Sequence, residues 1–167
     1  PGERVVRDDD YTLAVSYKPA NRSGGDWVWY EPRPDGRLLL VVADVCGHGP
    51  GPAIITGLSA GAYSILKRTA ADAEAIARGL HEVLFDMTKG DVQMTLSVFE
   101  FDPHNDNVTV INAGMPCILI SNPTNDRPKR IIIPSSPLGF EPLMIRKEVF
   151  EFKPGFKMMA CTDGAFE

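Results

Sequence analysis

Arg37 to Gly51 reads RLLLVVADVCGHGPG, and the rest of the chain is organised around it. An aliphatic run from Leu38 to Val42 leads to one carboxylate, Asp44, and a glycine-rich turn follows at once through Gly47, His48, Gly49 and Gly51. An acid at the end of a buried strand is costly unless something positive meets it. Glycines just beyond it let the backbone come close to a ligand. Strand, acid and turn together point to a site for a hard metal ion or a phosphate.

Working outward, Pro32-Arg33-Pro34-Asp35-Gly36 is a turn by composition. It joins the Leu38–Asp44 strand to an earlier one that opens at Asp26 and carries Trp27, Val28, Trp29 and Tyr30. The two form a hairpin. Asp26 and Asp44 flank its turn and are expected to meet at one end of a sheet. Farther upstream, Thr12 to Tyr17 alternates with Leu13, Val15 and Tyr17 on one face, which is a strand pattern. A loop over 18–25 separates it from Asp26.

Downstream, Pro52 is placed as the first residue of a helix, where a missing N–H costs nothing. Ile54, Leu58, Ala62, Ile65 and Leu66 give its stripe, and Gly57, Ser59, Ala60, Gly61 and Ala62 a flat face for close packing. A second helix is expected over about Asp72 to Met87, with capping-box spacing from Thr69 to Asp72 and a buried face of Ile76, Leu80, Val83 and Leu84. Six strands follow: Met94–Phe101, Asn107–Asn112, Pro116–Ser121, Arg130–Ile133, Ile145–Phe152 and Lys157–Thr162. Turn-rich connections between short strands favour antiparallel sheets. Strands, two helices, then strands again make an α+β pattern within one domain, residues 1–167. The last strand repeats the opening theme, since Thr162-Asp163-Gly164 again sets an acid and a glycine behind an apolar run.

Composition narrows the function. With 167 residues, 44% hydrophobic and 23% charged, the chain can bury a real core. A net charge of -5 and a pI near 5.2 argue against nucleic acid, which needs a clustered basic face. Arg127, Lys129 and Arg130 are read as a solvated strand edge. No apolar run is long enough to cross a membrane, and the charged stretch Pro1–Asp10 is unlike a signal peptide. The expected location is the cytoplasm. Asn21-Arg22-Ser23 and Asn107-Val108-Thr109 match the glycosylation pattern but carry little weight without secretion. Cys46, Cys117 and Cys161 are far apart in sequence and odd in number, so reduced thiols are expected rather than zinc or disulfides.

Asp26, Asp44 and Asp163 each stand at a strand terminus. Taken singly, each reads as an ordinary turn aspartate. If the sheets bring them together, their mutual repulsion calls for cations. All-oxygen ligation selects magnesium, manganese or calcium over zinc. Two such ions about 4 Å apart activate a water for in-line attack on phosphorus.

At this point Gly24-Gly25-Asp26, Asp44-Val45-Cys46-Gly47-His48-Gly49, Asn112-Ala113-Gly114, Ser136-Pro137-Leu138-Gly139 and Thr162-Asp163-Gly164 form an ordered set. That set resembles the landmarks of SpoIIE-type serine phosphatases, the bacterial branch of the metal-dependent type 2C (PPM) protein phosphatases. The resemblance implies a two-sheet antiparallel sandwich flanked by helices, with a dinuclear manganese or magnesium centre at one end. It implies that Asp44 bridges both ions, with the Val45 carbonyl as a further ligand. Asp163 then holds one ion, and Asp26 binds directly or through water. Gly47, His48, Gly49 and Gly164 become loop candidates for substrate contact. The implied substrate is phosphoserine or phosphothreonine on a regulatory protein of the anti-anti-sigma kind, in stress or sporulation signalling. A sensor or receiver domain is implied in the parent chain, and a homodimer is left open.

The pattern departs from the family in three places. A further metal-binding aspartate is expected well after Thr162-Asp163-Gly164, and the chain stops at Glu167, so the domain reads as cut at its C-terminal end and taken from a larger protein. Met115 follows Asn-Ala-Gly where His is common, and Cys46 stands where the wider type 2C group carries His. His48 is therefore read first as capping the helix that follows, with a general-acid role left open. The competing reading is a phosphatase-fold module with a defective metal site that binds a phosphoprotein. A serine hydrolase is weighed on Gly57-Leu58-Ser59-Ala60-Gly61 and set aside, because the motif lies within a helical stripe. His81 and His104 are read as surface residues without metal-ligand spacing. Trp27, Trp29 and Tyr30 are expected to be core on one face and partner surface on the other.

Overall fold

A computed structural model describes residues 2–17, 24–47, 49–70 and 72–165. The central sheet has five antiparallel strands in the order β3-β4-β5-β6-β9. These are β3 (Asp26–Pro32), β4 (Leu38–Val45), β5 (Met94–Asp102), β6 (Asn107–Ala113) and β9 (Arg146–Glu151). On one face lie two helices, α1 (Pro50–Thr69) and α2 (Ala73–Thr88). On the other lies a three-stranded sheet in the order β10-β7-β8, from β7 (Cys117–Asn122), β8 (Asn125–Ile131) and β10 (Lys157–Cys161). A separate hairpin, β1 (Gly2–Arg7) with β2 (Thr12–Tyr17), completes the chain. The expected α+β sandwich with helices outside is what forms.

Two cores follow from these layers. Leu39, Val41, Ala43 and Val45 of β4 face the helices together with Leu96, Val98, Ile76, Leu80 and Leu84. Val42, Phe99, Val108 and Val110 face the second sheet and meet Ile118 and Ile133. β4 is apolar on both sides because it is covered on both sides, which is why the opening stretch reads as one aliphatic run.

Several expectations are corrected. The charged N-terminus contains β1, where Arg4-Val5-Val6-Arg7 pairs with Leu13, Val15 and their neighbours. β8 begins at Asn125 rather than Arg130, and its exposed Arg127, Lys129 and Arg130 lie on a sheet edge as expected. Pro128 is tolerated there because an edge strand leaves one row of N–H groups unpaired.

α1 starts two residues earlier than expected. Pro50 takes the first position and Gly49 the N-cap at φ 99°. Its buried face is also rotated from the one expected. Ile54, Leu58 and Ile65 are exposed, while Ser59 and Tyr63 are buried with Ile55, Ala62 and Leu66 packed beside them. The flat Gly57/Gly61 surface meets nothing, and the close helix contact is at Gly79, where a Cβ would lie 2.7 Å from the Leu66 side chain. Before α2 the cap is Asp72, which accepts from the Ala75 N–H at 2.8 Å, and not Thr69, whose hydroxyl donates back to Ile65 O. Ser59 is buried within α1, so the Gly-x-Ser-x-Gly match is helix packing and not a nucleophile elbow.

Candidate active site

The β3–β4 hairpin pairs Asp26 directly with Asp44. The turn at Pro32–Gly36 sets that register, so the two acids meet across the strand ends as the sequence predicted. Asp26 Oδ1 is buried and has no hydrogen-bond partner among the described residues. Val45 N donates to Gly25 O at 3.2 Å, which folds the Gly24-Gly25 segment over the end of β4. A Cβ on residue 25 would lie 2.2 Å from Val45 O and 2.8 Å from Asp44 Oδ1. Only glycine fits there, and it leaves Val45 O and the Asp44 carboxylate side by side.

Around this point the turn after β4 needs glycine at Gly47, φ 103°, and at Gly49, φ 99°. Cys46 N donates to Gln93 O at 2.9 Å, tying the turn to the start of β5. Burial pushes the exposed-side Cys46 thiol up, and the charges of Asp44 and Asp163 push it further. Both acids therefore act on the same sulfur. Asp163 opens a short 3-10 turn, Asp163–Ala165, and is exposed there, as is Gly164. Among the described residues no three His, Cys, Asp or Glu side chains already stand as a ligand cluster. The structure pairs Asp26 with Asp44, and no three-acid cage closes among the described residues. His48 lies outside the described residues, as does Asn21-Arg22-Ser23. Gly49 is the N-cap of α1, with no side-chain cap bond among the described residues.

The remaining landmarks hold loops rather than ligands. Asn112 is 1% exposed. Its Oδ1 accepts from the Ser97 hydroxyl at 2.5 Å, and its Nδ2 donates to Ile133 O at 3.1 Å and Ser135 Oγ at 3.0 Å. Gly114, at φ 77°, has room for no Cβ because Pro137 lies 2.9 Å from where it would stand. Leu138 exchanges backbone hydrogen bonds with Met94, whose strand partner is Val45. Asn-Ala-Gly and Ser-Pro-Leu-Gly thus interlock behind the acidic strand ends.

Sequence reasoning missed three contributors. Tyr17 donates to Asp26 O at 3.2 Å, and burial with the Asp26 charge raises its phenol. With Arg4, Tyr30 and Asp26 it lines an open groove of about 330 Å³. The Thr56 hydroxyl lies 3.1 Å from Gly25 O and 2.9 Å from Pro52 O, fastening α1 to the Gly24-Gly25 segment. His81 is 6% exposed and not a surface residue. Its Nδ1 accepts from Gly139 N–H at 3.1 Å, so the ring proton sits on Nε2 and donates to Glu141 Oε1 at 3.0 Å. No spacing rule signals such contacts, because each partner comes from a distant element. His104 is exposed, as expected, with Nε2 donating to Asp35 O at 2.9 Å. Trp27 is buried and Trp29 is exposed on the same face at the sheet edge, under Lys67.

This fold and its ordered glycine and aspartate landmarks match a family model. Residues 34–167 fit Stage II sporulation protein E (SpoIIE), and the chain belongs to that family. No curated protein sequence matches the chain. Among solved structures, the RsbU and RsbW domains of a Mycobacterium tuberculosis protein superpose with a TM-score of 0.77 at 23% identity, over 90% of this chain and 42% of that one. RsbX in complex with magnesium gives 0.77 at 19% identity, over 97% and 78%. The catalytic domain of the serine/threonine phosphatase PstP, in complex with two manganese ions, gives 0.66 at 14%, over 98% and 76%. The chain thus spans less than half of the first of these, and the shared fold is that of PP2C-type phosphatase domains.

Proposed function

We propose that the chain is the core of a metal-dependent protein serine/threonine phosphatase domain acting on phosphoserine or phosphothreonine of a bacterial regulatory protein in the cytoplasm. One observation carries this reading: Asp26 stands in register with Asp44 and keeps a buried carboxylate oxygen without a partner among the described residues, beside a glycine cradle that any side chain would fill. Two carboxylates facing each other are unfavourable alone, and a hard divalent cation is what such an all-oxygen set accepts.

The residues present fit manganese or magnesium, with Asp44, Asp26, the Val45 carbonyl and Asp163 as the donors. When bound, such ions supply an activated water and offset charge on the phosphoryl oxygens. The chain's own part is positional. Gly47, Gly49 and Gly164 keep the backbone open to a phosphoryl group, and the Tyr17–Arg4 groove beside Asp26 offers a path for the polypeptide around a phosphoserine. Membership of the SpoIIE family and the PP2C-type fold support the assignment. A regulatory partner system of the RsbU or stressosome kind is the corresponding context.

A binding module with a weakened metal site is the second reading, favoured by the exposed Asp163 and the open three-acid arrangement. Manganese-dependent hydrolysis of p-nitrophenyl phosphate, measured on the full chain, separates the two. Activity falling by about 100-fold or more in Asp44→Asn supports the enzyme, on the scale of losing several kcal/mol of transition-state stabilisation. No activity in either protein supports the binding module.

A further inference from the structure

β10 and β7 run antiparallel in a register that sets Cys161 directly opposite Cys117. Directly opposed side chains leave a sheet on the same face, so the two thiols lie side by side there. Opposed antiparallel residues have Cα atoms about 4.5–5.5 Å apart, inside the span of about 4.4–6.8 Å that a disulfide bridges. Both thiols are free. Cys117 is buried, at 5% exposure, whereas Cys161 is half-buried. Cys161 is therefore the more accessible residue of the two.

We propose that Cys117 and Cys161 are a reversible dithiol–disulfide pair, oxidised by small disulfides of the glutathione class, whose bridge staples β10 to β7. In the first step the Cys161 sulfur, its proton passed to solvent, attacks one sulfur of oxidised glutathione. A mixed disulfide forms and one glutathione thiolate leaves. In the second, the Cys117 sulfur, likewise deprotonated, attacks the Cys161 sulfur and expels the second glutathione thiolate. Two protein thiols are oxidised, one glutathione disulfide is reduced to two thiols, and the two protons released to solvent balance those thiols. The strand that is stapled runs straight into Thr162-Asp163-Gly164, so the bridge fixes the end of β10 on which Asp163 is carried. The pair stands apart from the phosphatase reading, because its signature is covalent.

The test uses the full chain with Cys46→Ala, which removes the third, exposed thiol. Treated with oxidised glutathione under native conditions, it should lose two hydrogens in intact mass and yield a joined Cys117–Cys161 peptide on digestion. Both thiols should resist iodoacetamide until reductant is added, and the oxidised form should melt higher than the reduced one. With Cys117→Ser in addition, the reaction should stop at glutathione held on Cys161. Should that variant not fold, Cys161→Ser in its place should take up no glutathione at the buried Cys117. A Cys46→Ala protein that ends as a stable mixed disulfide, or bridges only in denaturant, overturns the proposal. So does a wild-type protein that joins Cys46 to Cys161 instead.

Discussion

The two ends of the β3–β4 hairpin carry acids in opposite circumstances. At the turn end, Arg37 lies 3.0 Å from Glu100 Oε1 and 3.5 Å from both Asp35 Oδ2 and Asp102 Oδ2. Asp102 also accepts from the side chain of Asn105 and from the N–H groups of His104 and Asn105. At the open end, Asp26 faces Asp44 and keeps one buried oxygen with no partner among the described residues. The turn end is a finished charge network that stabilises a turn. The open end sets two like charges opposite each other, and that contrast is what the proposed metal site rests on.

The largest break in the contrast is expected from Gly25→Val. Its side chain would overlap Val45 O and Asp44 Oδ1, so the open end must spread. Overpacking of this severity costs about 3 kcal/mol. Urea unfolding should report that loss, and calorimetry should show manganese uptake abolished.

Arg37→Met acts at the finished end and should cost about 1 kcal/mol at neutral pH, the upper range for a partly exposed ion-pair network. Its pH dependence follows from Asp102, whose carboxyl is held below the usual carboxylate range, first by the Asn105 side chain, then by backbone N–H groups and the Arg37 charge, against an opposing push from burial. A depressed pKa contributes stability that is present above the ordinary value of about 4 and is lost as pH falls through the lower folded value. The deficit of Arg37→Met should therefore shrink on acidification through that window. A deficit unchanged from neutral to strongly acidic pH would show that Arg37 acts by packing alone.

Asp26→Asn should give the smallest effect and the opposite sign. Removing one of two like charges placed directly opposite should stabilise the metal-free protein by about 0.5 kcal/mol in chelator. Thermal melts with and without manganese should show the gain without the ion and a weaker response to it. A loss of stability in chelator would mean that the open end is already compensated.

How much of this could be read beforehand differs by region. The hairpin and the meeting of Asp26 with Asp44 were legible because a turn of known composition fixes a register locally. The layered α+β fold was legible because β4 is aliphatic on both faces and the later strands are punctuated by turns. The buried face of α1 was not, since the helix carries apolar residues on several sides and periodicity alone does not choose among Ile54, Ile55, Leu58, Tyr63, Ile65 and Leu66. β1 was hidden because arginines flank only two valines in its centre.

The sequence by itself determined most of the strands, where acids end them and which glycines follow, since propensity, turn chemistry and steric demand act over a few residues. Only the tertiary structure decided which distant side chains share a neighbourhood. It set Cys161 against Cys117, His81 against Gly139, and Asn112 between Ser97 and Ser135. Those contacts depend on strand order and helix rotation, which the packing of whole layers fixes and no local pattern encodes.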